Sequence, residues 1–216
     1  MSGPTLVVEL AEPVSPGAMR RFRALMHGLS SRCEERRPGW FDAHVHAGRL
    51  GIGSPDGDEH GDGERGRAWP RPLLGGLPDG ALAALAGPGP GHEDPRRPFD
   101  VYLMGPGVGD EGIFEAEHAD SPEVPAVLGF TPTHAVNVSA ACNRPVDHLA
   151  TALLTAAVMD AVGGVACAEL RADQVQLVSG LPGVLGLTDD EEYPSALGSA
   201  GFLRAWAARP GFRLLK

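Results

Sequence analysis

The sequence predicts an α/β chain of the α+β kind: a two-layer sandwich in which a mixed sheet is covered by two or three helices. Three observations carry that prediction. Several short runs alternate apolar and polar residues at a period of two, which suits strands with one buried face. The stretch Pro145–Val162 repeats its apolar residues at the helical period instead. Strand-like and helical segments then succeed one another in the order βαββ, then βαβ(β)αβ. That order gives a βαββ half and a βαβ half within a single domain, residues 1–216.

The rest of the chain is organised around Thr133–Leu170. Thr133–Cys142 reads as a strand, Pro145–Val162 as a helix and Val165–Leu170 as a second strand. Val146, Leu149, Ala150, Leu153, Leu154, Ala157, Val158, Ala161 and Val162 fall on one helical face. Asn143 is the expected N-cap, Pro145 lies in the first turn, and Asp147 complements the positive end of the helix dipole. Gly163 and Gly164 end the helix, because glycine enters the left-handed region without steric cost.

Upstream, Thr5–Leu10 is a short strand. Ser15 and Pro16 open a helix whose buried face carries Met19, Phe22, Met26, Leu29 and Cys33. Arg20, Arg21 and Arg23 lie outside that face. Trp40–Ala47 is a strand with Phe41, Ala43, Val45 and Ala47 on one side and Asp42, His44 and His46 on the other. Residues 51–97 are rich in Gly, Pro, Asp, Glu and Arg. They read as a flexible insertion, since so few large apolar residues cannot offset the ordering entropy.

Downstream, Pro98–Met104 is a strand, and an acidic loop follows with Asp110, Glu111, Glu115, Glu117, Asp120 and Glu123. Gln174–Val178 reads as a further strand and Leu181–Leu187 as irregular chain. Asp189, Asp190, Glu191 and Glu192 form an acidic cluster. A last helix spans Ser195–Ala208 with Leu197, Phe202, Leu203 and Trp206 in the core. Phe212–Leu215 is the expected terminal strand.

Composition narrows the function classes. With 216 residues the chain can bury a substantial core. A net charge of −10 argues against a nucleic-acid surface and favours a basic protein partner. Three cysteines, Cys33, Cys142 and Cys167, lack zinc-finger spacing and read as buried free thiols of a reducing cytosol. No secretory signal and no membrane-length apolar run is expected.

The sharpest local pattern is Asp42-x-His44-x-His46. Alternation sets all three side chains on one strand face, which suits two imidazole ligands of a divalent metal. It resembles the first metal motif of amidohydrolases over those five residues. His60, with Asp56, Asp58, Glu59 and Asp62, reads as a solvated acidic loop because the EF-hand ligand positions fail. Cys142 and His148 could supply a thiol and a base, but no oxyanion donor accompanies them. Gly105-Pro-Gly-Val-Gly109 lacks the Lys-Ser/Thr of a phosphate loop. No cofactor is therefore expected.

Two stretches carry a family resemblance. One is Gly129–Val138 continuing through Cys142–Ala150 to Val162–Val165. The other is Leu6–Leu10 with Ser31–Gly39. Both look like an uncharacterised actinobacterial family, a domain of unknown function. Its strand, helix, Gly-Gly, strand module is similar in style to immunity proteins of polymorphic toxin systems. The family resemblance implies no activity. The strong acidity, the three acidic loops, the lack of a complete catalytic constellation and that similarity of style together lead to the expectation of a cytosolic, non-enzymatic module, an immunity- or antitoxin-type protein, capturing a basic partner. The expected contact residues are Glu115, Glu117, Asp189, Asp190, Glu191 and Glu192, whose charge would steer association. The alternatives are a small metal-dependent hydrolase using Asp42, His44 and His46, and a structural or oligomer-forming component.

Overall fold

The computed structural model describes residues 3–52, 96–119, 124–188 and 194–215. The strands are β1 (Thr5–Leu10), β2 (Ser30–Arg37), β3 (Trp40–His46), β4 (Arg96–Met104), β5 (His134–Ala140), β6 (Val165–Glu169), β7 (Val184–Leu187) and β8 (Ser195–Gly198). They form one sheet in the order β2-β3-β4-β5-β1-β6-β8-β7. The helices are α1 (Pro16–Leu29), α2 (Glu111–Ala119), α3 (Val124–Leu128), α4 (Pro145–Val162), α5 (Val175–Ser179) and α6 (Ala200–Ala207).

The α+β architecture is as read from the sequence. The sheet differs in one respect: every neighbouring pair of strands is antiparallel, where a mixed sheet was expected. The unit β5-α4-β6 explains the difference. Its two strands run the same way, but β1 lies between them and opposes both. The crossover therefore spans two strand spacings, about 10 Å, which an 18-residue helix with its loops covers easily.

Helix α4 is packed between α1 and α6 and against β1, β5 and β6. Fourteen of its residues are buried, so it is apolar nearly all round and not along one stripe. Thr151 and Thr155 enter this interior by donating their hydroxyls to the carbonyls of Asp147 and Thr151, both at 2.7 Å. By length and composition the helix could cross a bilayer, contrary to the sequence expectation, but 78% of it is buried within the fold. Its N-cap is Arg144, one residue after the expected Asn143. The Asp147 carboxylate reaches back to accept the Arg144 N–H at 2.7 Å and so fixes the start. Gly163 ends it as expected, donating to the Met159 carbonyl at 2.8 Å. A Cβ on Gly164 would meet the Glu9 carbonyl oxygen at 2.7 Å, so the chain there must be glycine to pass β1.

Other boundaries move for identifiable reasons. Helix α1 ends at Leu29, and Cys33 lies in β2, where it is half-buried like Cys142 and Cys167. Gly39, at φ 81°, closes the β2–β3 hairpin. Residues 174–178 are not a strand: Gln174 is the N-cap of α5 and Val175–Val178 lie within that helix. A five-residue apolar run carries too little period to decide, and Gln174 pins this one. Its side chain accepts the Arg171 N–H at 3.0 Å and donates to the Arg213 carbonyl at 2.7 Å. That second bond ties down Phe212–Leu215, which is not a strand, while Trp206 packs edge-on to Phe212 at 5.1 Å. Val184–Leu187 is the edge strand β7 where irregular chain was expected.

The final helix is shorter than read, because Ser195–Gly198 pairs with β6 and β7 as a strand. Ser199 then caps α6, accepting the Phe202 N–H at 3.4 Å. Gly198 lets the Phe202 ring lie against the strand, since a Cβ there would sit 2.4 Å from it. The acidic loop after β4 contains α2 and α3. Of the 51–97 insertion, residues 53–95 lie outside the described residues. Arg96 and Arg97 open β4, and Ala47–Leu50 form a 3-10 turn after β3.

Candidate functional site: the open face of the sheet

Alternation sends one set of strand side chains under α1, α4 and α6 and the other set to the opposite face. The antiparallel register arranges that second set in rows. Glu34, Asp42, Asp100, Ser139 and Thr5 stand opposite one another across β2, β3, β4, β5 and β1. The neighbouring row is Arg37, Trp40, Tyr102, Asn137, Val7 and Cys167. A third row holds Arg32, His44 and Pro98.

Like charges directly opposed on adjacent strands are destabilising, so the run Glu34, Asp42, Asp100 needs compensation. Part of it is present. Arg36 meets Asp42 at 2.5 Å, and Arg32 lies 3.6 Å from Glu34. The Arg36 hydrogen bond holds the Asp42 carboxyl below the usual carboxylate range, against some desolvation. Asp100 is exposed and forms no ion pair with any described residue. Among the described residues its one side-chain hydrogen bond is a long one, 3.5 Å, from the Trp40 indole N–H, and the Arg36 charge lies within electrostatic reach.

Trp40 is held on one side by the Arg37 guanidinium, whose carbon lies 4.7 Å from the ring centroid. Arg37 is itself anchored by the Asp110 carboxylate. Tyr102 lies 6.1 Å from Trp40, ring to ring. Burial pushes the Tyr102 hydroxyl above its ordinary value, and Glu117, Asp110 and Asp100 add to that shift. Between these groups lies an open groove of about 200 Å³ lined by Arg36, Trp40, Asp42, Pro98, Phe99, Asp100 and Ala141. Pockets for small organic ligands run to roughly 300–1,000 Å³, so this groove is sized for one side chain.

Helix α2 covers another part of the same face. Phe114 packs on Met104 and Ala135, with Val7 and Tyr102 at the margin. His118 bonds Glu9 of β1 through Nε2 at 2.8 Å and the Phe114 carbonyl through Nδ1 at 2.7 Å. Asn137, which stands between Val7 and Tyr102 in the sheet, is buried, and its Oδ1 accepts no hydrogen bond.

The residues singled out in the sequence are placed as follows. Asp42, His44 and His46 share the open face of β3. Asp42 is engaged by Arg36, and among the described residues no group of three or more His, Cys, Asp or Glu is arranged to hold a metal. The metal-hydrolase reading therefore gains no geometric footing. His148 makes no hydrogen bond to Cys142; both its ring nitrogens are buried without a partner, and burial, helped by the nearby Arg213 charge, lowers its pKa. Glu115 is exposed on α2. Glu117 keeps an exposed edge, yet partial desolvation, with Glu9 adding, raises its carboxyl above the ordinary range while His118 opposes the shift. Asp189, Asp190, Glu191 and Glu192 lie outside the described residues.

Sequence reasoning missed Trp40, Asp100, Tyr102 and the Glu9–His118 pair. The signal for Asp100 was present: Phe99-Asp-Val101 alternates as Phe41-Asp-Ala43 does. Pairing one with the other required the register.

Comparison of the chain with curated proteins and with solved structures returns no match. A family model, described as a family of unknown function, does match, and it spans residues 2–216. The chain belongs to that family, DUF6368.

Proposed function

We propose that this chain is a non-catalytic binding module that takes a basic protein segment on the open face of its sheet. One observation carries the reading. Asp100 stands directly opposite Asp42 on an exposed sheet face, in a groove that Trp40 also lines, and it has no ion-pair partner among the described residues; Arg36, engaged by Asp42, reaches it only through longer-range attraction. A Lys or Arg side chain entering the groove would meet that carboxylate and the indole face together. The net charge of −10 would steer such a partner, with Glu115, Glu117, Asp189, Asp190, Glu191 and Glu192 as outlying contributors. In the finer form of the proposal the protein is a cytosolic immunity- or antitoxin-type protein and the segment belongs to a basic toxin domain.

The test uses a Lys/Arg-rich peptide as probe and titration calorimetry as readout. Asp100→Asn should weaken binding by about tenfold, as loss of a charge-assisted contact does. Raising salt should slow association without moving the site. Equal affinity in wild type and Asp100→Asn, or in wild type and Trp40→Ala, refutes the groove as the site.

A further inference from the structure

We propose that the contact between His118 and Glu9 is a pH-sensitive latch that holds α2 on the open face of the sheet and frees it when the imidazole loses its proton. The geometry fixes the proton count. Nδ1 of His118 faces a carbonyl oxygen and Nε2 faces a carboxylate oxygen, at 2.7 and 2.8 Å. Both are acceptors, and only a ring carrying two N–H groups satisfies both. The Glu9 carboxylate is nearly fully buried, at 6% exposure, so it has little water to replace a lost donor.

The helix has little else to hold it. α2 is nine residues long and Phe114 is its one buried residue. A helix of that length is marginal without tertiary support. The charged and titratable groups around the latch are Glu9 on β1, Glu117 on α2 itself and Tyr102 on β4; Arg37 and Asp110 border Tyr102. The Glu9 hydrogen bond is the main cause raising the His118 pKa, against partial desolvation. The docked helix is therefore fully favoured below the ordinary imidazole value and loses that contribution as pH climbs through the raised one. Glu117 acts in the same sense, because its raised carboxyl makes ionisation unfavourable in the docked helix. Release would uncover Met104 and Ala135 and the margins of Val7 and Tyr102, and so enlarge the open face.

Hydrogen exchange of the full chain, corrected for intrinsic rates, tests this between about pH 6 and about pH 9, the range spanning imidazole titration. Protection of residues 111–119 should fall by up to about tenfold per pH unit through the upper part of that range, with α4 unchanged. His118→Gln and Glu9→Gln should each remove that dependence, and Glu117→Gln should keep it. A pH-independent wild type, or the wild-type slope surviving in His118→Gln, overturns the latch. If the variants fail to fold, judged by exchange in α4, the ring nitrogen shifts of His118 in the wild type decide. A ring protonated at both nitrogens at neutral pH supports the latch, and a neutral ring refutes it.

Discussion

On the helix-covered face, Val8, Phe41, Val101 and Val138 are fully buried beneath α1, α4 and α6. Their immediate neighbours Val7, Asp42, Asp100 and Asn137 point the other way, into a face covered only in part. The same four strands thus present an apolar surface to one side and a mostly polar face to the other. The covered side is held by many interchangeable apolar contacts, and its stability is collective. The open side is held by a few specific pairs: Arg36 with Asp42, Arg37 with Trp40 and Asp110, and His118 with Glu9. Burial of the first side drives folding, and the second also carries Asp100, which takes part in none of those pairs.

That contrast can be broken most severely from the covered side. Leu153, at 1% exposure, sits at the centre of α4, and Leu153→Asp would bury an unpaired charge there. The expected loss is about 4 kcal/mol or more, enough to abolish cooperative urea unfolding. A soluble, cooperatively folded Leu153→Asp protein would remove α4 from the role given to it. Phe114→Ala probes the open side. It should cost about 2 kcal/mol, less than a central core truncation, because the ring touches only a small cluster. The loss should show as exchange confined to residues 111–119; equal loosening of α4 would mean that the two faces are not separable.

The smallest effect is expected for Arg36→Ala. It should lower the urea midpoint at neutral pH only slightly, since the guanidinium is open to water. The Asp42 carboxyl should titrate closer to the ordinary value in a carbon-detected NMR titration. The lowered Asp42 pKa adds stability above the ordinary carboxylate range, and that contribution disappears as pH falls through the lowered value. The acid limb of stability should therefore flatten in the variant. An unchanged Asp42 titration would count against the pair.

Much of this was legible residue by residue. The alternation of Trp40–His46 and the α4 boundaries follow from period and from Gly163, and the structure keeps them within a residue. Short or weakly patterned segments were not legible. Val175–Ser179 and Ser195–Gly198 are each five residues or fewer, and their state was decided by Gln174 bonding Arg213 and by pairing with β6. α2 has one buried residue, so its sequence carries almost no helical stripe.

By itself the sequence determined which side chains share a strand face, where the central helix starts and stops, and the excess of negative charge. These are consequences of local backbone geometry and composition, and each can be read within a few residues. Only the tertiary structure decided that Asp42 faces Asp100, that Glu9 meets His118, and that β1 runs between β5 and β6. Strand order and register depend on how distant apolar faces bury one another, and that information is shared among segments far apart in the chain.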